Sequence, residues 1–241
     1  MRRKKRFEKK ALGYYDGAPY AFFVERVTKG LHSFVAENVP ADCRMIDICC
    51  GTGALACQCA GKCNEVLGVD LSPKMIAYAE TQRQKRGIEN IRFQTANAGA
   101  LPDIGSGAFD FATLVMCLHE MPAKVRPLVL AEAERIARTV LIVDFVPRMH
   151  WNVAGVRNRL VEFAAGMRHF RGFLDFTKRG GLPPLLAGTN LEVERHGVID
   201  QGNLEMYTLV SQTAKTVDKN KCVADPIAIL DEKPIRNAEP R

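Results

Sequence analysis

Apolar residues follow two alternating rhythms along the chain: short unbroken runs, and longer stretches in which they recur every three or four positions. The runs fall at 44–49, 65–70, 91–95, 109–116 and 140–146. Each has the length of a strand, and the last, Val140 to Val146, is typical of a sheet covered on both faces. Between the runs, helical spacing predicts a helix over 18–37 carrying Phe22, Phe23, Val27, Leu31 and Phe34, and another from Gly53 to about Ala60. Ser72-Pro73 is a helix start, a capping serine followed by proline at the first helical position, with Met75, Ile76 and Ala79 on its apolar face. A further helix over 127–137 is expected to carry Leu128, Ala131 and Ile136 inward. Residues 151–178 read as helical, with Val156, Leu160, Phe163, Met167, Phe170 and Leu174 as the stripe and breaks at Gly166 and Gly172. Two final strands, 191–199 and 203–210, flank Asp200-Gln201-Gly202, which is hairpin-turn chemistry.

Alternating strands and helices with short links define an α/β fold, a doubly wound and mostly parallel sheet with helices on both faces. The expected organisation is a single domain over 13–212, including an N-terminal helical cap at 13–40 and a helical lid at 151–184. Composition changes this picture only at the ends. Of the net charge of +7, residues 1–10 hold six, from seven Lys/Arg and one Glu, so the remainder of the chain carries +1. Residues 1–12 are expected to be a disordered basic tail and 213–241 a second tail, poor in apolar residues. No apolar run approaches the ~20 residues of a membrane span and no secretion signal is evident, so a cytoplasmic location is expected.

In doubly wound sheets, ligands sit beyond the carboxyl ends of the strands. The polar residues at those ends are Asp47 to Gly53, Asp70, Asn97 and His119-Glu120. The first group, Asp47-Ile48-Cys49-Cys50-Gly51-Thr52-Gly53, reads as strand, tight turn and helix start. Glycines there allow left-handed backbone and close approach of a ligand, while the helix behind offers free N–H groups. Alone this turn is a weak signal, equally an ordinary strand-to-helix link. Asp70 strengthens it: a carboxylate at the next strand end can accept two hydrogen bonds from the vicinal hydroxyls of a ribose. Five of the eight cysteines crowd this region, yet no paired C-x-x-C units or histidine cluster follow them. Zinc spacing is not met, and buried thiols without a metal are expected.

These residues resemble the class I S-adenosylmethionine-dependent methyltransferases, particularly the group containing the ubiquinone and menaquinone C-methyltransferases. The resemblance covers about residues 40–146, and the terminal hairpin is similar to the family's reversed seventh strand, which makes the expected sheet Rossmann-like. The family's acid-x-Gly-x-Gly-x-Gly motif appears as Asp47-x-Cys49-x-Gly51-x-Gly53, with Cys49 in place of the first glycine. The resemblance implies that Asp47, Cys49, Gly51, Thr52 and Gly53 hold the methionine part of S-adenosylmethionine, that Asp70 holds the ribose, and that Leu71 lies against the adenine. Asn97-Ala98 stands where the family often has an acid and a small residue for the adenine amino group. Met75 and Met116 complete the implied donor-binding set. Rossmann dehydrogenases are the nearest competitor, but Asp47 inside the strand end and the hairpin after the fifth strand fit them poorly.

Methyl transfer needs alignment of a nucleophile and, in some cases, removal of a proton. His119 follows the fourth strand and is the candidate general base or substrate-orienting group, with Glu120 as its partner; a loop histidine with a structural hydrogen bond is the plain alternative. Tyr15, His169 and Phe170 are candidates to line the acceptor pocket. Cys117-Leu118-His119-Glu120 is incompatible with the Asn/Asp-Pro-Pro-Tyr ending of many amide and exocyclic-amine methyltransferases. With the near-neutral body, this points to a small, partly apolar acceptor as partner rather than nucleic acid. A non-catalytic binder of the donor, or an RNA methyltransferase recruited by residues 1–10, are the other classes considered.

Overall fold

The computed structural model describes residues 18–211, with side chains from residue 28 onward. The two tails, Tyr15, Cys222 and the side chains of Phe22, Phe23 and Val27 lie outside this range. The described chain forms two compact units that divide after Ala98.

In the first unit, helix α1 (Ala18–Glu37) precedes strand β1 (Arg44–Ile48), helix α2 (Ala54–Cys59), strand β2 (Glu65–Asp70), helix α3 (Pro73–Lys85) and strand β3 (Ile91–Thr95). The strands lie in the order β3-β2-β1, all parallel, with Ile48 beside Val69 and Asp70 beside Thr95 at the carboxyl ends. Both helix signals read from the sequence act as expected. Ser72 Oγ accepts from the Met75 N–H at 3.4 Å with Pro73 at the first helical position, and Leu31 and Val35 are buried on α1. The end of α1 is closed by Lys62, whose ammonium donates to the carbonyls of Ala36 and Val39.

The second unit begins with β4 (Phe109–Val115), helix α4 (Arg126–Ile136) and β5 (Ala137–Phe145). Helices α5 (Val153–Ala164), α6 (Met167–Lys178) and the one-turn α7 (Pro183–Leu186) follow, then β6 (Leu191–Ile199) and β7 (Leu204–Ser211). Its strands lie in the order β4-β5-β7-β6, with β4 and β5 parallel and β7 antiparallel to both neighbours. The seven strands thus have the directions of a Rossmann-like, mostly parallel sheet with a reversed C-terminal strand. Asp200, Gln201 and Gly202 all adopt positive φ (51°, 55° and 84°), as a tight reversal between β6 and β7 requires. The outer strand β6 is charged and exposed along Glu192 to His196, which protects an unpaired edge.

Three expectations need correction here. On α4, Leu128 and Ala131 face solvent, while Val129, Leu130, Ala133 and Ile136 are buried. The helix starts one residue earlier, and its buried face is the one that carries Arg126 with Val129, Leu130, Ala133 and Ile136. On α5 and α6, Val156, Leu160, Phe163, Met167 and Leu174 are all exposed, and the buried residues are Ala154, Gly155, Asn158, Glu162, His169, Phe173 and Phe176. The helical break falls at Ala165-Gly166, where Gly166 has φ 116°, and not at Gly172. Gly172 lies inside α6, packed so closely that a Cβ there would sit 3.0 Å from the carbonyl oxygens of both His119 and Glu120.

Candidate functional site

In the first unit, the functional residues converge on the turn after β1. Cys49, Gly51 and Gly53 take left-handed backbone, with φ of 64°, 51° and 73°. For cysteine this conformation costs about 1–2 kcal/mol, and a glycine would adopt it freely. The fold therefore demands here the conformation that the family's first glycine supplies, and Cys49 meets it under strain. At Gly53 a Cβ would lie 2.6 Å from Phe93 Cζ and 2.8 Å from Ala79 Cβ, so the turn is pressed onto β3 and α3 and tolerates no side chain. Gly51 is the opposite case, since a Cβ there meets nothing within 4 Å. The outward side of the turn is open backbone, which is the geometry a ligand approaching the main chain needs.

Asp70 ties this turn to the end of β2. One carboxylate oxygen accepts the Gly51 N–H at 3.0 Å and the other accepts the Ser72 N–H at 2.8 Å. The half-buried carboxylate is thereby oriented at the strand end. Leu71, next to it, is 48% exposed and presents apolar surface. Asp47 and Thr52 are buried, Asn97 is exposed and Ala98 buried, while Met75 points into the core. Burial, and then the Asp47 charge, push the Cys59 thiol up to about 12, and burial raises Cys50 well above its ordinary value. A thiol is a poor nucleophile and a poor metal ligand compared with its thiolate.

In the second unit, Met116 is half-buried with φ 54°, and His119 is nearly sealed at 2% exposure. Two carboxylates hold the His119 ring. Its Nδ1 lies 2.7 Å from Asp144 Oδ1, and its Nε2 lies 3.4 Å from Glu162 Oε2. Asp144 also accepts the N–H groups of Leu118 and His119 at 3.0 and 3.2 Å, fixing the loop after β4. The expected partner, Glu120, turns elsewhere: its Oε2 lies 3.1 Å from His169 Nδ1, and His169 Nε2 lies 2.6 Å from the same Glu162 Oε2. Burial pushes both histidines down, but the surrounding carboxylates outweigh it, holding His119 well above the ordinary value and His169 at about 9. Burial raises Glu162, but the His119 charge and the histidine hydrogen bonds outweigh it and lower the carboxyl to about 2. Phe145 and Phe173 pack edge-on against the His119 ring at 4.8 and 6.5 Å. Phe170, half-buried, packs between Phe163 and Phe173.

Arg126 braces this cluster from beneath. It is 1% exposed and donates to the carbonyls of Leu118, His119 and Gly172 at 3.0, 3.4 and 3.1 Å, with Asp175 at 3.0 Å and the Phe176 ring at 5.2 Å. Sequence reasoning passed over Arg126, Asp144 and Glu162. A signal existed for two of them. Asp144 interrupts an otherwise apolar strand, and Gly155, Asn158 and Glu162 make a small and polar stripe at helical spacing on the face opposite the exposed apolar one.

The sheet order and the glycine turn are those of the class I S-adenosylmethionine-dependent methyltransferases, whose methyl donor is S-adenosylmethionine. Residues 45–149 match the family model described as a methyltransferase domain. A demethylmenaquinone methyltransferase of Bacillus velezensis is 33% identical over 105 residues, a match covering 42% of this chain and 43% of that protein. The chain thus spans under half the length of the curated relatives it matches. A SAM-dependent methyltransferase from Aquifex aeolicus shares the fold at a TM-score of 0.56 and 14% identity, covering 81% of this chain and 98% of that one. A protein of Pyrococcus horikoshii OT3 does so at 0.59 and 16%, covering 83% and 95%. Among the described residues no helix is long and apolar enough to cross a membrane.

Proposed function

We propose that the protein transfers the methyl group of S-adenosylmethionine to a small, partly apolar acceptor. The observation that carries this reading is the open left-handed turn at Cys49–Gly53 held by the Asp70 carboxylate. When bound, the donor supplies a methyl group already activated by its sulfonium. The protein's part is to hold and orient. Asp47 and Cys49 with the Gly51-Thr52-Gly53 turn receive the methionine part, Asp70 the ribose hydroxyls, Leu71 the adenine face, and Asn97-Ala98 its amino edge. Met75, being buried, supports α3 from within.

For His119 we favour orientation over proton removal. A general base must reach the proton it takes, whereas this ring is nearly sealed and both its nitrogens face carboxylates. The half-buried Phe170 and the exposed Phe163 and Met167 on α5 and α6 are suited to an apolar acceptor. An apolar acceptor is also in keeping with the demethylmenaquinone in the relative's name, although α5 and α6 lie outside the residues that the family model matches. The test is incubation with methyl-labelled donor against a panel of phenols, quinols and small carboxylates. Label is expected to move to an apolar member of the panel with matching release of S-adenosylhomocysteine. Tight donor binding with no transfer to any member would favour a non-catalytic donor-binding module instead.

A further inference from the structure

The buried His119–Glu162–His169 cluster has the construction of a metal site, and we propose that it binds one divalent first-row ion of the zinc type. Three potential ligand atoms from three elements, the loop after β4, α5 and α6, lie within 4.8 Å of one another. They are His119 Nε2, His169 Nε2 and Glu162 Oε2, with Glu162 Oε2 at 3.4 Å from the first and 2.6 Å from the second. Around a tetrahedral ion with bonds of about 2.0–2.1 Å, neighbouring ligand atoms stand about 3.3 Å apart. The His119–Glu162 pair already meets that separation, and the His169–Glu162 pair needs to open by about 0.7 Å.

The second observation lies one layer out. Each histidine turns its other nitrogen to a carboxylate, His119 Nδ1 to Asp144 at 2.7 Å and His169 Nδ1 to Glu120 at 3.1 Å. Such carboxylate–histidine pairs fix the tautomer that presents Nε2 to a metal and raise its basicity. Both buried histidines share this arrangement and turn Nε2 to the same oxygen, Glu162 Oε2. Charge points the same way: three carboxylates, those of Asp144, Glu162 and Glu120, lie against the two imidazoles, a setting that attracts a divalent cation. Two imidazoles and one carboxylate suit zinc, iron(II), cobalt or nickel rather than calcium or magnesium. Three protein ligands leave a fourth position for a small molecule. The ion would pin α5 and α6 to the loop after β4, and this inference does not depend on how the donor binds in the first unit.

The experiment uses the full chain, stripped with a chelator and titrated with Co(II) and with Zn(II). One equivalent of Co(II) is expected to give ligand-field bands in the visible without the near-ultraviolet charge transfer of thiolate ligation. Zinc-edge X-ray absorption of the wild type should show a nitrogen/oxygen shell with imidazole scattering and no sulfur. Glu162→Gln and His169→Gln should each weaken Co(II) binding at least 100-fold, and Asp144→Asn and Glu120→Gln by about 10–100-fold, as loss of an outer carboxylate typically does. Added Zn(II) should raise Tm in the wild type and not in His169→Gln. No uptake by the wild type, a shell containing sulfur, or undiminished binding by a folded His169→Gln would overturn the proposal and leave a hydrogen-bonded charge cluster only. If the variants do not fold, the wild-type absorption spectrum decides it alone.

Discussion

Replacing Asp70 by alanine is expected to weaken S-adenosylhomocysteine binding by about two to four orders of magnitude, because two hydrogen bonds to a charged group are lost at about 1.5–3 kcal/mol each. The same carboxylate also holds the turn by accepting from Gly51 N–H and Ser72 N–H, so part of the loss would come through the backbone. Asp70→Asn separates the two contributions. Its remaining carbonyl oxygen can keep the Ser72 contact while the charge is gone, and an intermediate loss is expected. Calorimetric titration of both variants, with circular dichroism to confirm folding, measures this. Equal affinity in Asp70→Ala and wild type would remove Asp70 from the donor site.

Arg126→Ala is expected to lower the stability of the second unit by about 3–5 kcal/mol, the scale seen when one partner of a buried charge network is removed. The surface share of this effect is small. Asp175 is 39% exposed, and a pair that open to water contributes little. The cost lies in the carbonyls of Leu118, His119 and Gly172, which lose a buried donor where water has little access. Arg126→Lys should recover only part of it, since an ammonium cannot reproduce the planar fork that reaches several oxygens at once. Urea unfolding followed by far-ultraviolet circular dichroism checks both variants. A loss below about 1 kcal/mol, the value of an ordinary surface pair, would show that the guanidinium is not what braces the loop.

The parts of the fold that were legible in the sequence are those set by local pattern. The β2 run Glu65–Asp70 is bounded by turn residues on one side and by Ser72-Pro73 on the other, and its ends matched to the residue. The hairpin was equally plain because Asp200-Gln201-Gly202 admits little but a tight reversal. On α4 to α6 the periodicity was present but its direction was misread. An apolar stripe marks a helix without saying which face turns inward, and on α5 and α6 the inward face carries Asn158, Glu162 and His169 while the aliphatic stripe faces out.

The candidate site divides along the same line. Asp47, Asp70 and the glycine turn are close in sequence and sit at strand ends, so topology alone placed them. The pairing of His119 with Asp144 and Glu162 joins positions 25 and 43 residues away on other elements, and no spacing rule links them. Glu120, adjacent in sequence, was the natural partner to choose. The loop instead points it at His169, because Asp144 takes the backbone N–H groups on either side of Leu118 and sets the direction of both side chains.

The central claim, that the turn after β1 with Asp70 is the seat of a methyl donor, is tested most directly by a crystal structure of the chain grown with saturating S-adenosylhomocysteine. The ribose hydroxyls are expected within hydrogen-bonding distance, about 2.5–3.0 Å, of the Asp70 carboxylate, with the amino-acid end over the open backbone of Gly51. A molecule bound elsewhere, or none bound at saturation, would contradict it.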